Sequence, residues 1–211
     1  MPLTDRDYMQ PQRPRPRPRR VRGQGFDLNP VLVIIALNLL VFIITTFSRT
    51  SFAYLGLIPA DLAARPWTII TAMFVHANFG HLLGNMITLF FFGRFLAMLV
   101  GNNRFLLVYL VGGLFGNVLY VLLANPLSMA VGASGAVYAV AGTLVVMMPN
   151  LRVNLYFIFP MPLWVVVVVF FVLFSFIPGI AWQAHAGGLV VGLIAGYFFR
   201  KWWRKSYYII R

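Results

Sequence analysis

Charge is scarce in this chain and negative charge scarcer: 10% of the 211 residues are charged, and the four acids include three before residue 28. A soluble domain carries about 25% charged residues, so an ordinary water-solvated surface is excluded. Cysteine is absent, which removes disulfides and thiolate metal sites. No A-x-A-like cleavage site follows the polar first 22 residues, so a cleavable signal peptide is not expected. No internal repeat is visible, which argues against a transporter built from inverted repeats.

What the chain has is apolar length. Hydrophobic residues make up 61% of it, and runs near 20 residues recur at 30–48, 79–100, 104–123, 131–148, 157–177 and 180–199. Each is long enough to cross a bilayer as a helix, and helices are expected because an open strand would leave backbone groups unpaired in lipid. The expected fold is all-α: a polytopic membrane protein with a six-transmembrane-helix bundle over 29–200. A Pro- and Arg-rich tail at 1–28 reads as disordered with polyproline character, and a second basic tail covers 201–211.

The basic residues set the orientation. With the N-terminus inside, the two tails, Arg94, Arg104 and Arg152 put fifteen basic residues on the inner side, against Arg49 and Arg65 outside. Such asymmetry predicts that both termini are cytoplasmic. The net charge of +13 flanks apolar spans, so its expected partner is the lipid surface and not nucleic acid. The loop at 49–78 lies outside and is moderately apolar, with Tyr54, Pro59, Pro66 and Trp67, which suits the membrane interface. Pro160 and Pro162 fit a first helical turn or mark an irregular entry to the fifth span.

Polar residues inside spans are costly and point to function. Under this topology the second, fourth and sixth spans enter from outside, and each carries polar groups near its entering end: His81 and Asn85, Ser134, and His185. His81 and Asn85 share a helix face, as do Ser134 and Tyr138. His185, Gly188, Gly192 and Gly196 form one stripe, while Gly132, Ala133, Gly135 and Ala136 surround Ser134. Small residues on both helices permit close backbone approach, which a direct Ser134–His185 hydrogen bond requires. A serine hydroxyl is a weak nucleophile until an adjacent base takes its proton, and neutral histidine is the usual base. An oxyanion formed by attack on a carbonyl would find donors in His81, Asn85 and the Ser134 backbone N–H. No acid lies within a span, which points to a dyad, with Tyr138 orienting His185 by stacking or hydrogen bonding.

Other polar residues read differently. Asn38 and Asn117 are taken as structural, and His76 as a hydrogen-bonding residue of the loop that supports the site. His76 and His81 are five apart with no acid beside them, so no metal site is expected. Nothing in the chain calls for a cofactor.

Three segments in order, His76-x4-His81-x3-Asn85, Gly132-Ala133-Ser134-Gly135 and His185-Ala-Gly-Gly188-x3-Gly192, resemble the rhomboid family of intramembrane serine proteases. The resemblance covers about 50–200. It implies six helices around a water-filled cavity open to the outside, with Ser134 as nucleophile and His185 as general base. It also implies that His81, Asn85 and the Ser134 N–H bind the oxyanion, and that Tyr138 packs on the catalytic histidine. The implied activity is serine endopeptidase cleavage of transmembrane protein substrates near the extracytoplasmic side, and a prokaryotic plasma membrane fits the short tails. Two positions depart from the family pattern: Thr68 follows Trp67 where Arg is common, and Ala97 stands where Glu is common. Both affect expected structural supports and leave the dyad intact.

Overall fold

The computed structural model describes residues 29–155, 159–175, 177 and 179–208. The expected tail at 1–28 and the last three residues of the chain lie outside the described residues.

Helix α1 (Pro30–Phe47) starts where sequence rules put it: the Asn29 side chain accepts from the Val31 N–H at 3.0 Å, and Pro30 occupies the first turn. One narrow face, with Val31, Ile34 and Asn38, is buried, while Leu40, Ile43 and Phe47 are exposed. An apolar helix with an apolar exposed face is a helix solvated by lipid. The segment after it is folded and not an open loop. It contains α2 (Arg49–Leu55), a 3-10 turn at Pro59–Asp61, α3 (Thr68–Thr71) and a second 3-10 turn at Ala72–Phe74. Side chains close it on itself: Arg65 pairs with Asp61 and donates to the Ala53 carbonyl, Trp67 Nε1 donates to Tyr54 O at 3.2 Å, and Thr71 donates to Leu55 O at 2.8 Å.

The second apolar stretch is α4 (Phe79–Thr88), a π-helical turn at Leu89–Gly93, and α5 (Arg94–Val100). It is followed by α6 (Asn102–Leu123), α7 (Ser134–Met147) and, later, α9 (Trp182–Tyr208). Among the described residues three stretches are long and apolar enough to cross a membrane: Pro30–Phe47, Phe79–Val100 and Asn102–Leu123. Ser134–Met147 is a shorter apolar helix.

The fifth stretch corrects an expectation. A helix from 157 was expected, but Arg152–Leu155 (β1) pairs antiparallel with Phe159–Pro162 (β2), and α8 covers only Leu163–Ser175. Proline explains the late start. Pro160 and Pro162 have no N–H to donate, and each biases its predecessor away from helical torsions. Leu163 then opens α8, its N–H on the Leu151 carbonyl at 2.8 Å. The sixth stretch also runs beyond its expected end at 199, to Tyr208.

The core is the α6–α7–α9 trio. Helix α7 is buried on nearly all sides, although its sequence is no more apolar than that of α1. It can be central because it is slim. A Cβ at Gly188 would collide with the Gly135 carbonyl, one at Gly192 with the Ala139 carbonyl, and one at Gly196 with Thr143. These are two ladders of four-residue spacing, 188-192-196 on α9 and 135-139-143 on α7, packed backbone to backbone. Gly116 of α6 meets the Ala184 backbone in the same way, and Gly112 makes room for the Ala139 methyl. In lipid, such packing supplies the association that hydrophobicity supplies in water. Thr143 adds a polar tie across the seam, its hydroxyl 3.1 Å from the Gly192 carbonyl. The in-span amides read as structural do bond to backbone: Asn38 to Ile34 O at 2.7 Å within α1, and Asn117 to Ile69 O at 2.8 Å, fastening α6 to α3.

Candidate active site

Ser134 is the first residue of α7 and His185 lies in the first turn of α9. The backbone seam fixes these two helix starts side by side, and His185 Nε2 comes within 2.8 Å of Ser134 Oγ. This is hydrogen-bonding distance for an imidazole and a hydroxyl. His185 is buried and Ser134 partly accessible.

Tyr138, one turn into α7, stacks on the His185 ring with centroids 4.7 Å apart and planes at 29°. Phe171 of α8 packs edge-on to the other aromatic, centroid to centroid 6.0 Å from Tyr138. The Tyr138 hydroxyl is buried with no hydrogen-bond partner among the described residues. Of the two ways in which Tyr138 could orient His185, stacking is therefore the one in place. His185 Nδ1 likewise has no partner among the described residues. The described acid, Asp61, is held by Arg65.

The turn before Ser134 is held from the first loop by backbone bonds. Leu57 and Ala130 exchange both, at 3.0 and 2.8 Å, and the Gly132 N–H donates to Ala72 O at 2.9 Å. Gly132 has φ of 126°, a conformation that favours glycine. It is also the only residue type that fits: a Cβ there would sit 2.7 Å from His81 Nε2 and 3.7 Å from Ser134 Oγ. His81 thus faces the serine across the hydrogen face of Gly132.

His81 and Asn85 belong to α4, whose start is capped by Asn78, its side chain accepting from the His81 N–H at 2.9 Å. Asn85 is buried and donates one amide hydrogen to the His81 carbonyl at 2.9 Å. The second hydrogen of that amide remains for another acceptor. His76 stands behind His81, its ring edge-on at 5.0 Å between centroids, and its Nε2 is 3.5 Å from the Ala133 N–H. Burial, with His81 adding to it and the Phe74 backbone opposing, holds the His76 imidazole down at about 4. It is therefore neutral near pH 7, as an acceptor at Nε2 must be.

His76, His81, Asn85, Ser134, Tyr138 and His185 gather at one end of the bundle, where α4, α7 and α9 begin. Gly188 and Gly192 do not line the site; they set the distance at which its two halves stand. The backbone clamps at Leu57, Ala72 and Ala130 escaped the sequence reading, since carbonyls and N–H groups carry no side-chain signature. No group of three or more His, Cys, Asp or Glu residues that could hold a metal ion occurs among the described residues.

The fold and the site together define a helical membrane protein that presents a serine–histidine pair at the start of two tightly packed helices. Residues 63–202 match the Rhomboid domain family, and the chain belongs to that family. A candidate rhomboid protease of Bacillus subtilis is 37% identical over 134 residues, covering 62% of this chain and 66% of the relative. The yeast Saccharomyces cerevisiae has a mitochondrial rhomboid protein 28% identical over 166 residues, covering 69% of this chain and 45% of the relative. A mitochondrial rhomboid-like protein of Arabidopsis thaliana is 33% identical over 136 residues, covering 62% and 43% respectively. The chain therefore matches less than half the length of the two mitochondrial relatives.

Proposed function

We propose that this chain is an intramembrane serine endopeptidase that cuts transmembrane-helix substrates with a Ser134–His185 dyad. The 2.8 Å approach of His185 Nε2 to Ser134 Oγ carries the reading. His185 takes the Ser134 proton as Oγ attacks the scissile carbonyl, and a tetrahedral oxyanion forms. The Ser134 N–H, His81 and the second Asn85 N–H receive that charge, at the positive end of the α7 dipole. His185 then returns the proton to the leaving amine, the amine departs, and an acyl-enzyme remains on Ser134. Water, deprotonated by His185, releases the second product and restores the hydroxyl. Tyr138 keeps the imidazole in plane by stacking, His76 and Gly132 position His81 and the serine turn, and Gly188 and Gly192 hold α9 against α7.

The reading includes six membrane spans over 29–200 with both termini cytoplasmic. It puts the dyad near the extracytoplasmic face, in a plasma membrane. The basic inner side and the clustering of polar groups at one end of the bundle support it.

Labelling with a serine-reactive fluorophosphonate tests the chemistry, in detergent and in liposomes, with cleavage of a transmembrane test substrate read in parallel. Wild type is expected to label and cleave, and Ser134→Ala and His185→Ala to do neither while melting at a temperature close to wild type. A folded wild type inert in several lipids and against several substrates would sink the protease reading and leave a helix-binding membrane scaffold.

A further inference from the structure

Outside the dyad, a cleft of about 440 Å³ opens where the end of α1, the start of α2 and the entry to α4 converge. Phe42, Phe52 and Phe79 give it an apolar side, and Thr46, Arg49 and Asn78 a polar one. The polar side is rich in donors. Among the described residues Arg49 has no acidic partner, because Asp61, the acid nearby in sequence, belongs to Arg65. Asn78 spends its side-chain oxygen on the His81 N–H, which leaves its amide hydrogens for the cleft. The Thr45 hydroxyl next to it is engaged by its own helix at Val41 O, 2.9 Å away, so it does not compete.

The cleft also sits at a defined level of the membrane. It opens at the end of a spanning helix, beside Phe47 and Phe79, which are 87% and 64% exposed, and near the Tyr54–Trp67 pair, whose rings are 4.9 Å apart. Aromatic residues collect where hydrocarbon meets headgroups. A donor-rich, cationic recess with an apolar side at that level matches one ligand chemistry, a phosphate ester attached to acyl chains. A wholly apolar ligand would leave the Arg49 and Asn78 donors unsatisfied.

We infer that this cleft is a binding site for the headgroup phosphate of an anionic phospholipid, held by Arg49, Thr46 and Asn78, with the lipid's acyl chains running down α1 past Phe42. The site is independent of peptide hydrolysis. It adjoins the candidate active site through His76, which lines the cleft on one side and meets His81 and Ala133 on the other. An occupied cleft therefore braces the segment that carries His81.

Thermal melting of the full chain in a neutral detergent tests this, with short-chain phosphatidylglycerol titrated in at fixed ionic strength. Phosphatidylcholine of the same chain length, glycerol phosphate and inorganic phosphate serve as parallel titrants. The expected result is a saturable rise in melting temperature with phosphatidylglycerol, at least tenfold weaker for Arg49→Gln, weaker for Thr46→Val, and largely retained for Arg49→Lys. Arg49 and Thr46 are both exposed, so neither substitution threatens the fold. Arg152→Gln, at an exposed cation far along the chain, is expected to match wild type. Equal losses from Arg49→Gln and Arg152→Gln would mean diffuse surface attraction and overturn the site. No loss from Arg49→Gln would overturn it as well. An equal response to glycerol phosphate or inorganic phosphate would reassign the cleft to free phosphate and overturn the lipid.

Discussion

Helices α7 and α8 are both short, apolar and poor in charge, yet they are used in opposite ways. Helix α7 is buried on nearly all sides, chiefly by α6 and α9. Helix α8 fixes one face, through Leu163 and Val167, and leaves Trp164, Val168, Val169 and Leu173 about half exposed. The difference is side-chain bulk. Gly135, Ala139 and Thr143 let α7 meet α9 backbone to backbone, whereas the branched row of valines in α8 holds neighbours at a side chain's length. The helix that carries Ser134 is the one packed backbone to backbone against its partner. Orientation within a fraction of an ångström is what a two-residue proton transfer needs, since a misplacement of about 1 Å can cost about 10²-fold in rate.

Widening the α7–α9 seam should do the greatest damage. Gly188→Leu puts a side chain where the Gly135 carbonyl lies. Overpacking of this kind costs about 1–3 kcal/mol or more, and the extra separation falls between Ser134 and His185. The expected outcome is a lower melting temperature together with a loss of fluorophosphonate labelling of at least about 10²-fold. Gly84→Ala is the matched control: nothing lies within 4 Å of a Cβ there, and alanine is favoured over glycine in a helix by about 1 kcal/mol. It should melt at or above the wild-type temperature and label normally. If Gly188→Leu also labelled normally, the rigid-seam account would fail.

A smaller effect distinguishes the two possible uses of Tyr138. Its hydroxyl has no partner among the described residues, while its ring stacks on His185. Tyr138→Phe keeps the stack and removes a buried, unsatisfied hydroxyl, so stability should hold or rise slightly and labelling rate should stay within about twofold. Tyr138→Leu loses a ring contact of about 0.5–1.5 kcal/mol, and should slow labelling by about tenfold. A large defect in Tyr138→Phe would restore the hydrogen-bonding role.

Much of this arrangement was legible in the sequence because it is written in periodicity and in rare residues. His81 and Asn85 at a spacing of four, the glycine stripe from His185, and one serine among small residues each carry their own geometry. What was not legible depends on backbone. The turn at Gly132 is set by Ala72 and by the Leu57–Ala130 bridge, through carbonyl and N–H groups that nearly every residue type carries. The hairpin before α8 was missed for another reason. Pro160 and Pro162 announce a break, but proline is tolerated both in a first helical turn and at a strand edge. Only the pairing of Arg152–Leu155 with Phe159–Pro162 decides between them. Asn85 was expected to face an oxyanion, and the structure gives one of its hydrogens to His81 O; an i to i−4 bond of this kind is available to any in-helix amide and leaves no trace in the sequence.

The smallest effect should come from α8, and it bears directly on how that helix is used. Val168 is 51% exposed, and its outward methyl groups exchange one apolar medium for another whether they meet lipid or a neighbouring chain. Truncation at such a position, away from packed or hydrogen-bonded groups, changes stability by about 0.5 kcal/mol or less, so Val168→Ala should melt with wild type. Val167→Ala, one residue earlier and 7% exposed, removes methyl groups from the packed face and should cost about 1 kcal/mol or more. A helix anchored on one side gives unequal answers at adjacent positions; a helix packed on nearly all sides, as α7 is, gives similar ones. Equal destabilisation at 167 and 168 would mean that α8 is clasped on both faces, and the contrast with α7 would disappear.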